Sequence, residues 1–94
     1  MRVYEVTYIL DPTMEEEQIT QTQEKFSEMV TKNGGEIASV ENWGKRKLAY
    51  ELKGYSEGVY IIMKINSTDE PANILRRNLS LSDEVLRSMI IRLN

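Results

Sequence analysis

Between Trp43 and Tyr50 the chain reads Trp-Gly-Lys-Arg-Lys-Leu-Ala-Tyr, which sets Lys45, Arg46 and Lys47 in a row between two aromatic rings. Adjacent cations match the spacing of phosphates along a nucleic-acid backbone, and flanking rings offer flat faces on which an unpaired base or a guanidinium stacks. The pattern predicts an RNA contact built from Trp43, Lys45, Arg46, Lys47 and Tyr50. The same residue types also suit a solvated edge strand, whose lysines discourage edge-to-edge pairing and whose rings pack against the protein body. A basic triplet alone does not choose between the two.

Other chemistry is scarce. The 94 residues include no cysteine and no histidine. Disulfides, thiolate metal sites and a cysteine nucleophile are therefore excluded, as are the commonest general base and the commonest transition-metal ligand. Carboxylate, lysine, tyrosine or serine chemistry would need a convergent pocket, and no motif points to one. Glu15, Glu16 and Glu17 are consecutive, so on a helix they point in different directions and complement the first-turn dipole rather than hold a cation. Neither a Gly-x-Gly-x-x-Gly nor a Walker-type loop occurs, and the loop Leu10-Asp11-Pro12-Thr13 has no cation to cradle a phosphate. The reading is a non-enzyme with no cofactor, no metal and no small-molecule substrate.

Length fits one domain, residues 1–94, with a modest core. No apolar run approaches the roughly 20 residues of a membrane helix. The formal net charge is -3, but its placement is uneven. Five glutamates and one lysine lie between Met14 and Glu28, whereas four cations and one acid lie between Trp43 and Lys53. Four arginines face two acids between Arg76 and Asn94. A polarised molecule of this kind can offer one face to a polyanion despite its acidic total.

The elements that must position the triplet follow from periodicity. Tyr4, Val6, Tyr8 and Leu10 alternate with Arg2, Glu5, Thr7 and Ile9 as in a half-buried strand, stopped at Asp11-Pro12. Thr13 and Glu16 have capping-box spacing, so a helix is expected to start there, with Ile19, Thr22, Phe26, Met29 and Val30 inward and an end at Asn33-Gly34-Gly35. Glu36 to Lys53 reads as a long strand whose alternation breaks at Gly44, the mark of a bulge that re-aims side chains. Gly54 to Gly58 reads as the turn, and Val59 to Ile65 as a central strand paired back as a hairpin. Ser67 to Pro71 offers caps for a second helix with Ala72, Leu75 and Leu79 inward, and Val85 to Leu93 forms the last strand. This order predicts an α+β, ferredoxin-like βαββαβ plait: a four-stranded antiparallel sheet, first and third strands central, two helices on one face. Arg2, Arg87 and Arg92 then fall on neighbouring strands and are expected to extend the cationic surface. Apolar residues in both phases of the third and last strands give the open face a greasy character that suits a protein partner. The segment Gly58-Val59-Tyr60-Ile61-Ile62-Met63 carries one ring, too few for the stacking platform of an RNA-recognition motif.

Taken together, these residues closely resemble the bacterial-type small-subunit ribosomal protein six family, from end to end. The resemblance is carried by Met1-Arg2-Val3-Tyr4-Glu5-Val6 with Leu10 and Pro12, the glycine after the first helix, and Trp43 to Tyr50. Gly58, Asp83, Val85, Arg87 and Met89 add to it. It implies a protein of the ribosomal platform that binds central-domain small-subunit ribosomal RNA with ribosomal protein eighteen during assembly, in the cytoplasm or in an organelle, without catalysis. Arg2, Arg46, Lys47, Tyr50, Arg87 and Arg92 match positions where the family offers cations or a ring to RNA or to the neighbouring protein. Lysine at position 47, where arginine also appears in the family, keeps the charge but loses the planar fork. Some members carry an acidic C-terminal extension, which this chain is expected to lack. The competing class is a regulatory plait that binds a small molecule or forms oligomers through its sheet, for which the basic triplet has no use.

Overall fold

The computed structural model describes all residues, 1–94. Its elements run β1 (Arg2–Leu10), α1 (Glu16–Lys32), β2 (Glu36–Leu52), β3 (Tyr55–Ser67), α2 (Asp69–Leu81) and β4 (Val85–Arg92). All pairings are antiparallel and the strand order is β2-β3-β1-β4, so β1 and β3 are central as expected. No helix is long and apolar enough to cross a membrane.

Strand alternation builds the core. Tyr4, Val6, Tyr8 and Leu10 of β1 and Val59, Ile61, Met63 and Ile65 of β3 point to one face, where Ile19, Phe26 and Val30 of α1 and Ala72, Leu75 and Leu79 of α2 cover them. The Tyr8 and Phe26 rings meet edge to face with centroids 5.3 Å apart. Burial pushes the Tyr8 phenol pKa upward, and its hydroxyl has no hydrogen-bond partner. An unsatisfied buried hydroxyl costs stability that a phenyl ring of the same shape does not. Tyr8→Phe is therefore expected to raise stability by about 1 kcal/mol, read as a higher urea midpoint; a lower midpoint would mean that the hydroxyl is satisfied in solution.

Two local expectations need correction. Thr13 does not cap α1: its backbone N–H and its Oγ1 both donate to Asp11 Oδ1, at 2.8 and 2.6 Å. With Thr13 turned back onto Asp11, the cap passes to Glu15, whose N–H donates to Gln18 Oε1 at 2.9 Å. The hairpin turn is also shorter than Gly54 to Gly58. It consists of Lys53 and Gly54, both at positive φ (50° and 86°), and β3 already begins at Tyr55. Two consecutive left-handed residues make the mirror-image turn whose twist matches a two-residue hairpin. Lysine is an uncommon first residue there, which is why the turn was not legible.

Candidate nucleic-acid interface

The bulge expected at Gly44 is present. The register of β2 against β3 slips between Asn42 and Gly44, and Gly44 takes φ +75°, with the Asn42 side chain accepting its N–H at 2.7 Å. A left-handed residue inserted into one strand bends that strand, and here it resets the phase of alternation just before the basic run, which pairs residue for residue with β3 from Gly44 to Lys47 until the register breaks again between Lys47 and Leu52. Trp43, inside the bulge, is 47% exposed. Arg46 lies over its ring, 5.1 Å from the centroid, and donates from Nε to the Trp43 carbonyl at 3.3 Å. The ring and the guanidinium thus form one stacked unit.

Register distributes the triplet. Arg46 stands opposite Gly58 and shares the open face of the sheet with Tyr60, while Lys45 and Lys47 stand opposite Val59 and Glu57 on the other face. β2 is an edge strand, so the cations flank a ridge on both sides. All three are exposed, and none is in an ion pair; the ion pairs are Arg2–Asp69, Lys25–Glu84 and Lys32–Glu28. Unpaired charges on an exposed edge need no desolvation of a partner before meeting phosphate.

Tyr50 and Arg87 meet, although β2 and β4 are the two opposite edges of the sheet. Arg87 Nη1 donates to Tyr50 Oη at 2.7 Å, which requires the end of the hairpin to curl across the open face over β3 and β1. The curl covers Ile9, only 7% exposed, with Leu48, Leu52 and Tyr60 lining the same small cavity. Beside it a cleft of about 240 Å³ is lined by Thr7, Ile9, Tyr60, Arg87, Ser88 and Met89. Further along this open face Met89 and Ile91 are 48% and 46% exposed.

Arg2 and Arg92 do not join this surface. Arg92 pairs with Tyr4 and Arg87 with Ile9; five residues apart on one strand put them on opposite faces and about 17 Å apart along it. Arg2 is likewise at the far end, opposite Ser67. Its Nη1 donates to Asp69 Oδ1 at 2.7 Å, and Tyr4 Oη donates to the same oxygen. Those donors, Tyr4 first and then Arg2, hold the Asp69 carboxyl below its usual range. The expected continuity fails because odd spacing alternates faces, and Asp69 at the start of α2 supplies Arg2 with a counter-charge that sequence order does not reveal. Charge is still segregated: the acidic helix α1 packs on the face away from Arg46 and Arg87.

The family described as ribosomal protein S6 matches residues 3–92. Small ribosomal subunit protein bS6 of Desulforudis audaxviator is 50% identical over 92 residues, covering 98% of both chains. Its counterpart in Moorella thermoacetica is 41% identical over 93 residues, covering 99% of this chain and 95% of the relative. The crystal structure of 30S ribosomal protein S6 from Thermotoga maritima superposes with a TM-score of 0.91 at 28% identity, over 97% of this chain and 86% of that one. The C-terminal domain of the MgtC protein from Mycobacterium tuberculosis shares the fold alone, with a TM-score of 0.67 at 13% identity. The chain therefore belongs to the ribosomal protein S6 family, structural constituents of the small ribosomal subunit and not enzymes.

Proposed function

We propose that the chain binds central-domain small-subunit ribosomal RNA through the bent end of the β2–β3 hairpin, together with ribosomal protein eighteen, on ribosomes of the bacterial cytoplasm. The observation that carries this reading is the ridge of unpaired cations, Lys45, Arg46 and Lys47, on an exposed edge strand, with Arg46 stacked on Trp43 and Arg87 held against Tyr50. Phosphate contacts made by a few cations favour shape over sequence. Arg2 and Arg92, at the other end of the sheet, are assigned to a separate and weaker contact.

The net charge of -3 predicts poor binding to naked RNA by the chain alone. The exposed Met89 and Ile91 beside the cleft give the protein partner an apolar surface on the same face as Arg87. A basic partner seated there joins its own cations to the ridge, so that RNA binding and partner binding reinforce each other. A mobility-shift titration of the RNA with and without ribosomal protein eighteen tests this. Affinity for RNA is expected to rise by at least about tenfold with the partner present, within the usual range of coupling between sites. Equal affinity in the two conditions would overturn the composite surface.

A further inference from the structure

The hairpin that carries the cations is tied down at its tip by two contacts outside the interface itself. Lys53 Nζ donates to the Val85 carbonyl at the start of β4, at 3.1 Å. Tyr55 Oη donates to Asp11 Oδ2 at 3.2 Å, and Asp11 is already fixed by Thr13 and by its own N–H on the Glu84 carbonyl at 2.9 Å. The Tyr55 tie reaches the loop that directly follows β1, and the Lys53 tie reaches beyond β1 to the first residue of β4. Lys53 makes its contact from a left-handed backbone conformation, φ 50°. That conformation is unfavourable for lysine, and Asn or Gly suits this turn position better. A residue held in a sparsely populated conformation points to a constraint that local backbone preference does not explain.

We propose that Lys53 and Tyr55 are positioning residues: they latch the hairpin tip across the sheet and so fix the pose in which Arg46, Lys47 and Tyr50 meet a polyanion. The proposal deepens the interface reading and rests on it. The latch holds over the open face the irregular stretch of β2 between Lys47 and Leu52, which covers Ile9 and lets Tyr50 reach Arg87 across two intervening strands. A long two-stranded arm without such ties would have to be ordered at the moment of binding, and ordering lowers affinity.

Two variants separate the latch from turn formation and from charge. Lys53→Asn favours the left-handed turn while removing the ammonium; Tyr55→Phe removes one hydrogen bond with no change of charge. Lys53→Arg keeps a cationic donor and serves as the rescue. Hydrogen exchange of the full chain and binding to the central-domain ribosomal RNA fragment plus ribosomal protein eighteen are measured across a salt series. For Lys53→Asn and Tyr55→Phe the expected result is faster exchange at residues 46–52 with core amides unchanged. RNA affinity is expected to fall about fivefold, with an unchanged salt slope for Tyr55→Phe and recovery in Lys53→Arg. Unchanged exchange, or faster exchange with unchanged affinity, would overturn the latch. So would a loss confined to Lys53→Asn with its salt slope reduced by about one contact, since Lys53 would then touch phosphate directly. Failure of the interface reading looks different: removing Arg46 and Lys47 would leave affinity intact, and the latch would fall with it.

Discussion

Replacing Arg46 and Lys47 together with alanine is expected to weaken RNA binding in the presence of the partner by about a hundredfold, without unfolding the protein. Each charge-assisted hydrogen bond to phosphate contributes about 1.5–3 kcal/mol, and every 1.4 kcal/mol or so is a factor of ten in affinity. Two such contacts therefore give about two decades at the lower end of that range, the end that suits solvent-exposed side chains. Neutralising fewer phosphates also releases fewer counterions, so the slope of log affinity against log salt should flatten by about 1.4 to 1.8. Both side chains are exposed and neither is in an ion pair, so the melting temperature should barely move. The control is Arg76→Ala with Arg77→Ala, which removes the same charge from the exposed side of α2. If that control weakens binding as strongly, the effect is one of total charge and the hairpin assignment fails. A second readout is association state, because charges on an edge strand oppose pairing with another copy. Sedimentation of the double variant separates lost binding from aggregation.

The largest effect on stability is expected from Gly58→Ala. Gly58 stands directly across from Arg46, and a Cβ added there would lie 2.3 Å from Ile9 Cγ2, with Leu10 O at 3.5 Å and Leu86 Cδ1 at 3.7 Å. Ile9 is branched at Cβ, so its side chain has few alternative rotamers, and the hairpin curl already covers it. Overpacking at such a site costs about 1–3 kcal/mol, which for a domain of this size lowers the melting temperature by roughly 10 °C. A calorimetric melt of the variant measures it directly. A shift of less than about 2 °C would mean that Ile9 rotates aside at little cost and that the strands are less tightly apposed than the structure has them. Because the clash lies beneath the arm that carries Arg46, RNA affinity should fall as well.

Much of this was legible in residue order. Alternation in β1 assigned Tyr4, Val6, Tyr8 and Leu10 to one face, and steps of three and four gave the inner faces of both helices, because side-chain direction repeats with the backbone. The break of phase at Gly44 revealed the bulge for the same reason. The separation of Arg87 from Arg92 was also readable, since an odd interval on a strand changes faces; treating neighbouring strands as one surface hid it. The cap at Glu15 and the turn at Lys53 were not readable, because in each case several residues compete for one role. Thr13 was taken by Asp11, and Lys53 adopts a conformation its own chemistry does not favour.

Local physics in the chain determined which residues form strands and helices, which of their sides are apolar, and that a cationic ribbon stands out from an acidic protein. Only the tertiary structure decided that the ribbon bends across the sheet to bring Tyr50 to Arg87, and that Arg2 is occupied by Asp69. Those contacts join residues 37 and 67 positions apart. The first depends on the irregular register of β2 beyond Lys47 and the second on where α2 begins, whereas a periodic pattern reports only on neighbours along the chain.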